Sequence, residues 1–309
     1  MMDWTDRHCR FFLRQCSPSV FLYTEMITTG ALLHGDVPRH LDFDPAEHPL
    51  ALQLGGSEPD ELAHCARLAE RWGYDEINLN VGCPSERVQR GAFGACLMAE
   101  PQLVADCVRA MCEAVSLPIT VKHRLGINRV ASYAFVRDFV GTVAEAGCTT
   151  FIVHARNAIL KGLSPKENRE VPPLRYAEVH RLKREFPRLE FILNGGLASW
   201  EAIDAQLPFV DGVMLGRAAY HDPWLLARER GAAGRTEVVR AMHRYAEGWI
   251  VQGGELRQIA RHMLGLYHGA PRARLWRRML SDARALARNN PALLLEALDA
   301  VEGELERAA

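Results

Sequence analysis

Polar residues stand at the ends of most short apolar runs in this 309-residue sequence. They are Gln53, Asn80, Lys122, His154, Asn194 and the pair Gly216–Arg217. Amide side chains can hydrogen-bond to the imide or amide edge of a ring, and a cation can stabilise negative charge that develops on such a ring. Because the carboxyl ends of the strands of a (β/α)8 barrel converge at one face, the pattern predicts one shared site.

Lys122 ends an apolar run, where burial of an unpaired ammonium group is costly. We therefore expect Lys122 to stabilise negative charge on an electron-rich ring. The alternative is that its ammonium reaches solvent past the barrel mouth. His154 binds phosphate or hydrogen-bonds a neighbour, and the sequence favours neither reading.

Cys83 lies in the loop Asn80-Val81-Gly82-Cys83-Pro84-Ser85, directly after a predicted strand. Gly82 allows the turn and Pro84 fixes it, so the thiol is expected at the barrel mouth, where it can act as a general acid or a nucleophile. Cys96 is the alternative candidate for this chemical role, although its apolar neighbours favour burial. The other six cysteines are expected to fill the core. The sequence contains no Cys-x-x-Cys pair of the kind that would indicate a metal site.

Two glycine-containing loops follow the last two predicted strands, at Gly195–Gly196 and Gly216–Arg217. In (β/α)8 barrels these loops, with a short helix, commonly bind phosphate through backbone N–H groups. The sequence predicts a phosphate site there. The alternative is that the glycines only make tight turns.

Apolar runs alternate with amphipathic stretches over the first 230 residues, which predicts parallel strands covered by helices. The predicted strands are 21–24, 50–54, 76–80, 118–122, 151–154, 191–194 and 212–215, and the predicted helices are 58–72 (capped by Ser57), 101–115, 132–146, 174–186 and 199–206. The absence of Gly-x-Gly-x-x-Gly weakens a dinucleotide-binding reading. We expect a (β/α)8 barrel whose first strand is truncated, since the chain leaves no room for one before Met1.

After a linker at 231–234 no strand pattern remains, and stretches 236–252, 255–267, 272–288 and 291–307 predict helices. The expected domains are a catalytic barrel at 1–230 and a helical bundle at 235–309. The net charge of −1 hides opposing blocks, because 235–290 carries 11 Lys+Arg against 4 Asp+Glu. A nucleic-acid partner is therefore not excluded. No apolar run could cross a membrane and no signal peptide is evident, so cytoplasm is the expected location.

Two basic surfaces are candidates for contact with nucleic-acid phosphates. One is the loop 161–169 with Lys166 and Arg169, which could instead be only a solvated loop. The other is the helical region with Arg274, Arg277 and Arg278, where Tyr267 and Trp276 would add stacking. The alternative for the second surface is a helix face with ordinary salt bridges.

Long segments of the chain resemble the tRNA-dihydrouridine synthases, in particular their A-type bacterial subfamily. The most specific are NVGCPSERVQRGAFGACLM and GLSPKENREVPPL, and the similarity extends from Met1 to about Ser281. The resemblance implies a flavin mononucleotide (FMN) barrel with a helical tRNA-recognition domain. It implies reduction of the uridine C5–C6 bond at D-loop positions 20 and 20a, with NADPH as the reductant.

Carried over by motif, one set of residues matches FMN-binding positions of that family. They are Met1, Met2, Gln53, Lys122, His154, Asn194, Gly195, Gly196, Gly216 and Arg217. Cys83 matches the proton donor and Asn80 a contact to the target nucleotide. We expect a monomer without a metal. The rivals are a flavoenzyme acting on small pyrimidines and a truncated, FMN-free tRNA-binding protein. The choice between NADPH and NADH, and the closure of the barrel by the short N-terminus, stay open.

Overall fold

The computed structural model describes residues 1–128, 132–228 and 233–303. Part of the predicted linker, residues 231–232, and the end of the helix predicted at 291–307 lie outside the described residues. The chain divides into two compact units. The barrel unit comprises Tyr23–Asp42 and His48–Gly216, and the helical unit comprises Met1–Leu22, Phe43–Glu47 and Arg217–Ala309.

Seven strands form one sheet in sequential order. They are β1 (Leu22–Thr28), β2 (Leu50–Gly55), β3 (Glu76–Val81), β4 (Ile119–Ile127), β5 (Thr150–Ala158), β6 (Glu190–Asn194) and β7 (Gly212–Met214). Neighbouring strands from β2 to β7 pair in parallel. Sequential parallel strands joined by helices are the arrangement of a (β/α)8 barrel. The predicted barrel fold class is confirmed, and the described residues before Leu22 contain a helix and no strand.

The helices connect these strands and form most of the helical unit. They are α1 (Arg7–Cys16), α2 (Thr29–His34), α3 (Val37–Leu41), α4 (Pro59–Trp72), α5 (Glu86–Arg90), α6 (Pro101–Ala114), α7 (Tyr133–Glu145), α8 (Tyr176–Glu185), α9 (Trp200–Asp204), α10 (Arg217–His221), α11 (Arg235–Val251), α12 (Leu256–Met263), α13 (Ala273–Leu280), α14 (Ala283–Ala287) and α15 (Ala292–Glu302). The helices predicted at 58–72, 101–115, 132–146 and 174–186 correspond to α4, α6, α7 and α8.

The N-terminal cap predicted for α4 is wrong. Glu58, not Ser57, precedes its first residue, and the Glu58 side chain makes no capping hydrogen bond. Pro59 lies in the first turn, where a backbone N–H group would have no partner within the helix, so the missing N–H of proline costs nothing. The helix begins there because the proline fixes a helical φ, and the acidic residues Asp60 and Glu61 favour the helix dipole in that turn.

The compact units do not coincide with the predicted division into 1–230 and 235–309. Helix α1 belongs to the helical unit and buries Cys9, Phe12 and Leu13. Asp6 caps α1 by accepting from the Cys9 backbone N–H at 3.0 Å, and its carboxylate lies 2.9 Å from Nε2 of His262 on α12. These contacts explain why the first residues of the chain group with its last helices.

Candidate active site

A row of amide side chains crosses β2 and β3 inside the barrel unit. Gln53 donates from Nε2 to Oδ1 of Asn78 at 2.9 Å, and its Oε1 accepts from Nδ2 of Asn80 at 2.8 Å. Asn78 in turn donates to the Thr120 hydroxyl at 2.9 Å. Since each amide is oriented by its neighbours, Gln53 is held in one orientation at the end of its strand.

Asn80 also shapes the loop that carries Cys83. Its Oδ1 accepts from the backbone N–H groups of Gly82 at 3.1 Å and Cys83 at 3.0 Å. Thus one side chain links the Gln53 amide to the turn that presents the thiol. Cys83 itself is partly exposed, and its Sγ lies 3.6 Å from the Ser85 hydroxyl.

Gly94 supports the same loop from the other side. The Ala95 N–H donates to the Cys83 carbonyl at 2.9 Å, and Gly94 has a φ of +76°. A Cβ at Gly94 would lie 2.4 Å from Val88 Cγ1 and 2.6 Å from the Cys83 carbonyl oxygen. Only glycine fits this close approach.

Lys122 and Asn194 meet across the sheet. The Lys122 ammonium donates to Oδ1 of Asn194 at 3.2 Å, and the Asn194 amide donates to the Met214 carbonyl at 2.8 Å. Desolvation, followed by the nearby Arg124 guanidinium, lowers the pKa of Lys122 to about 7. The prediction that Lys122 ends its strand is wrong, because β4 continues to Ile127, although Lys122 does lie among the predicted site residues.

His154 is buried on β5, beside Asn194 in the strand register. Burial holds its pKa well below the usual value for histidine, and the largest electrostatic contributions, from Arg124, Lys122, Arg156 and Arg169, act in the same direction. The imidazole is therefore neutral at pH 7, and it lies in a strongly cationic environment. Such an arrangement attracts an anionic ligand.

The glycine pair after β6 approaches His154 closely. Gly195 has a φ of +113°, and a Cβ there would lie 2.7 Å from Cδ2 and 3.0 Å from Nε2 of His154. Gly196 has a φ of +73°, and the Gly195 carbonyl accepts from the Tyr176 hydroxyl at 2.6 Å. Only glycine fits at these two positions, because His154, Leu174 and Tyr176 occupy the space that a side chain would need, and the phosphate role of the pair stays a prediction.

The remaining predicted cofactor residues fall in or beside the helical unit. Gly216 is the last residue of the barrel unit, and Arg217 begins α10 in the helical unit. Met1 and Met2 are exposed and also belong to the helical unit. Their role toward a cofactor stays a prediction.

The loop after β5 is organised by a buried asparagine that the sequence did not single out. Asn168 is fully buried, accepts from the Ile159 N–H at 2.7 Å and donates to the carbonyls of Ile159 and Leu163 at 2.9 and 3.2 Å. Lys166 and Arg169 on this loop are exposed. The surface is therefore accessible to phosphates, as the prediction requires, on a loop with a defined shape.

Arg124 is a second residue of the candidate site that sequence reasoning missed. It is 3% exposed, and its guanidinium donates to the carbonyls of Gly82 at 3.1 Å and Asn168 at 2.9 Å. It follows Lys122 by two residues on β4, so both side chains point to one face of the sheet. The alternation Lys-x-Arg within β4 was the available signal.

The exposed arginines of the helical unit match the predicted RNA surface in part. Arg274, Arg277 and Arg278 on α13 are exposed, and within the described residues none of them forms an ion pair with a carboxylate. Arg274 and Arg277 line a surface depression of about 440 Å³. Their basic charge is therefore free to meet phosphate.

The stacking role expected for the two aromatic residues is wrong. Trp276 is fully buried and its indole N–H donates to the Met263 carbonyl at 2.8 Å. Tyr267 is 3% exposed and donates to Glu302. Both rings fill the core of the helical unit, and on α13 Trp276 lies on the buried face while the arginines lie on the exposed one.

Cys83, Cys96 and Cys112 are partly exposed, and the other five cysteines are buried, so the expectation that Cys112 fills the core is wrong. The Cys96 thiol donates to the Phe93 carbonyl at 3.1 Å, and burial raises its pKa. The described residues contain no cluster of three or more His, Cys, Asp or Glu side chains suited to a metal ion. Within those residues, none of the helices is both long and apolar enough to cross a bilayer.

The sequence is similar to a known family and to several named proteins. Residues 1–302 match the sequence profile of the family described as Dihydrouridine synthase (Dus). A Pseudomonas aeruginosa protein named tRNA-dihydrouridine(20/20a) synthase is 60% identical over 289 residues, or 91% of this chain and 87% of that protein. Proteins of the same name from Pseudomonas putida and Salmonella typhi are 56% and 57% identical, over 98% and 96% of this chain and 93% and 92% of theirs.

Proposed function

Because this chain belongs to the dihydrouridine synthase family, we propose that it reduces the C5–C6 double bond of uridines at positions 20 and 20a of the tRNA D-loop. The observation that carries the proposal is the pairing of two features in the barrel unit. A cationic cluster surrounds Lys122 on β4 and His154 on β5, and the loop that carries the partly exposed Cys83 thiol is joined to β3 through Asn80 and to β4 through Arg124. The first suits an anionic cofactor, and the second suits proton delivery to a substrate.

The residues of the site fit FMN as the cofactor. Within the described residues, the Lys122 ammonium forms no ion pair with a carboxylate, and its hydrogen-bond partner is the neutral Asn194 amide. Such a desolvated cation is stabilised when an anionic ring edge or phosphate approaches it. Gln53, Lys122 and Asn194 would hold the ring system. Gly195–Gly196 and the Gly216–Arg217 turn would hold the phosphate, with His154 beside the first pair.

When bound, a reduced flavin supplies the hydride for C6 of the uracil ring. The protein residues would then deliver a proton to the uracil ring and hold the target base. Cys83 carries the proton that C5 must receive, and its loop is oriented by the Asn80 amide. Asn80 also lies beside Gln53, so its side chain is placed to contact the target base as well as the loop. The target nucleotide must leave the tRNA fold to reach this site.

The phosphates of tRNA would bind Lys166 and Arg169 beside the site and Arg274, Arg277 and Arg278 in the helical unit. On this proposal residues 1–230 form the catalytic part and 235–309 recognise tRNA. We also propose NADPH as the reductant, a monomeric state and a cytoplasmic location. The helical unit's excess of basic residues supports the tRNA assignment over a flavoenzyme for small pyrimidines.

A single-turnover experiment with purified protein, FMN, reductant and unmodified tRNA tests the function. Wild-type protein should form dihydrouridine, and Cys83→Ala should lower the rate by about 100-fold or more, the typical contribution of a general acid. Cys96→Ala is the matched control and should keep the rate. Undiminished turnover by Cys83→Ala would refute the role of the thiol.

Two further measurements address the cofactor and the substrate. Purified protein should show a flavin absorption spectrum, and protein that stays colourless after incubation with FMN would contradict the cofactor assignment. Reduction of free uridine at a rate equal to that of tRNA would favour the small-pyrimidine alternative.

A further inference from the structure

The residues before and after Cys83, Gly82 and Pro84, each have a backbone carbonyl that accepts a hydrogen bond from a side chain of another element. On one side, Nε of Arg124 donates to the Gly82 carbonyl at 3.1 Å. On the other side, Nε2 of Gln89, on α5, donates to the Pro84 carbonyl at 2.8 Å. The residue that carries the thiol is thus fixed before and after its own position in the chain.

The same two side chains also hold the segment 159–169. Nε2 of Gln89 donates to the Leu160 carbonyl at 2.9 Å, and Nη1 of Arg124 donates to the Asn168 carbonyl at 2.9 Å. Gln89 therefore bridges the Cys83 loop to the start of this segment. Arg124 bridges the same two parts near the segment's end.

The chemistry of position 89 requires two donors. The Pro84 and Leu160 carbonyl oxygens can only accept hydrogen bonds, so the –NH2 group of glutamine satisfies both. A carboxylate of the same length would place negative charge against both oxygens, and an apolar side chain would leave two carbonyls without these donors.

We propose that Gln89 is a positioning residue for the Cys83 thiol, and that it couples this thiol to the segment 159–169. The proposal rests on the proposed function, in which Lys166 and Arg169 of that segment meet tRNA phosphates. Contact of RNA with the segment then fixes the loop that delivers the proton. Gln89 does not touch the reacting atoms and acts through the backbone on either side of Cys83.

The test compares Gln89→Met with Gln102→Met. Gln102 is an exposed glutamine on α6 that bonds only its helix neighbour Asp106 in the described structure, at 3.0 Å. Gln89→Met should lower the single-turnover rate of dihydrouridine formation at least about tenfold, since small misplacements of reacting groups carry large rate costs. Its affinity for tRNA should stay within about twofold of wild type, and Gln102→Met should match wild type in both.

Alkylation of Cys83, followed by mass spectrometry of its peptide, provides a readout that does not depend on turnover. In wild type and in Gln102→Met, added tRNA should change the alkylation rate of Cys83. In Gln89→Met that change should be smaller than in wild type, because the link to the segment 159–169 is cut and only direct cover of the thiol by the bound RNA remains. An unchanged response to tRNA together with an unchanged rate would overturn the proposal.

Two more variants at the same position separate positioning from folding. Gln89→Lys keeps a group that can donate to both carbonyls and should retain the rate within about threefold, whereas Gln89→Glu should lose it. Equal rates for Gln89→Lys and Gln89→Glu would refute the need for donors, even if Gln89→Met does not fold. Wild-type protein that forms no dihydrouridine would instead defeat the proposed function.

Discussion

Replacement of Gly195 by alanine tests the close packing at the end of β6. At the φ of +113° an L-residue is strained, which costs about 1–3 kcal/mol. The new Cβ would also lie 2.7 Å from Cδ2 of His154 and 3.2 Å from Leu174 Cδ2, so the buried ring must move. Overpacking of this kind costs a further about 1–3 kcal/mol. We expect Gly195→Ala to lower the free energy of unfolding by about 2–6 kcal/mol.

Gly73 provides the matched control. It caps α4 with a φ of +85°, and a Cβ there would meet nothing within 4 Å. Gly73→Ala should therefore show the backbone strain without the steric contact. Urea unfolding followed by circular dichroism measures both losses, and flavin retention on a desalting column reports on the site. Equal destabilisation by the two substitutions, with equal flavin retention, would refute the steric argument at His154.

Three further predictions concern charge and the helical core. Between pH 7 and 10.5 the unfolded chain holds more protons at Lys122 than the folded chain, so this group makes the free energy of unfolding rise with pH. In urea titrations Lys122→Met should remove that rise, and a pH dependence parallel to wild type would contradict it. Arg277→Glu with Arg278→Glu should weaken tRNA binding and reduce the slope of log affinity against log salt by about two. Unchanged affinity in gel-shift titrations would count against this surface. Trp276→Ala should cost about 3–5 kcal/mol of unfolding free energy, and a loss below about 1 kcal/mol would show that the ring is not in the core.

The strands were predictable because their apolar runs are continuous and separated by helical stretches. Each predicted strand overlaps a strand of the sheet, including the short last one, Gly212–Met214. The strands β4 and β5, however, extend well beyond the predicted ends, to Ile127 and Ala158. Polar residues such as Arg124 interrupt the apolar pattern there, and the Arg124 side chain is held by tertiary contacts with the Gly82 and Asn168 carbonyls that the sequence does not reveal.

The candidate site was predictable where a residue type itself implies chemistry. Gln53, Lys122 and His154 were identified in this way, and the structure places them among neighbours that orient or perturb them. Gln89 and Asn168 could not be found, because an amide that binds backbone carbonyls has no distinct sequence signature. Their importance depends on which loops meet in space.

In the helical region, residue types suggested a role that the positions of the side chains do not allow. A basic segment with aromatic residues suggested stacking on RNA, yet Trp276 points to the core while Arg277 and Arg278 point to solvent. The helix predicted at 272–288 is also divided, because Asp282 caps a new helix by accepting from the backbone N–H groups of Arg284 and Ala285. A residue with strong capping preference inside a predicted helix was the available signal.

The titratable groups of the barrel unit narrow the choice of proton donor. Burial keeps His154 neutral, and a neutral imidazole is a far weaker acid than an imidazolium. The Arg124 guanidinium donates to the Gly82 and Asn168 carbonyls, and the proposed function places the Lys122 ammonium, which donates to the Asn194 amide, at the ring of the cofactor. Cys83 remains as the group on a loop whose thiol is partly exposed. It follows that lowering the pH through the usual histidine range should not switch activity on through His154. If the single-turnover rate of wild type rose as the pH was lowered through that range, and His154→Gln abolished the rise, this assignment would be contradicted.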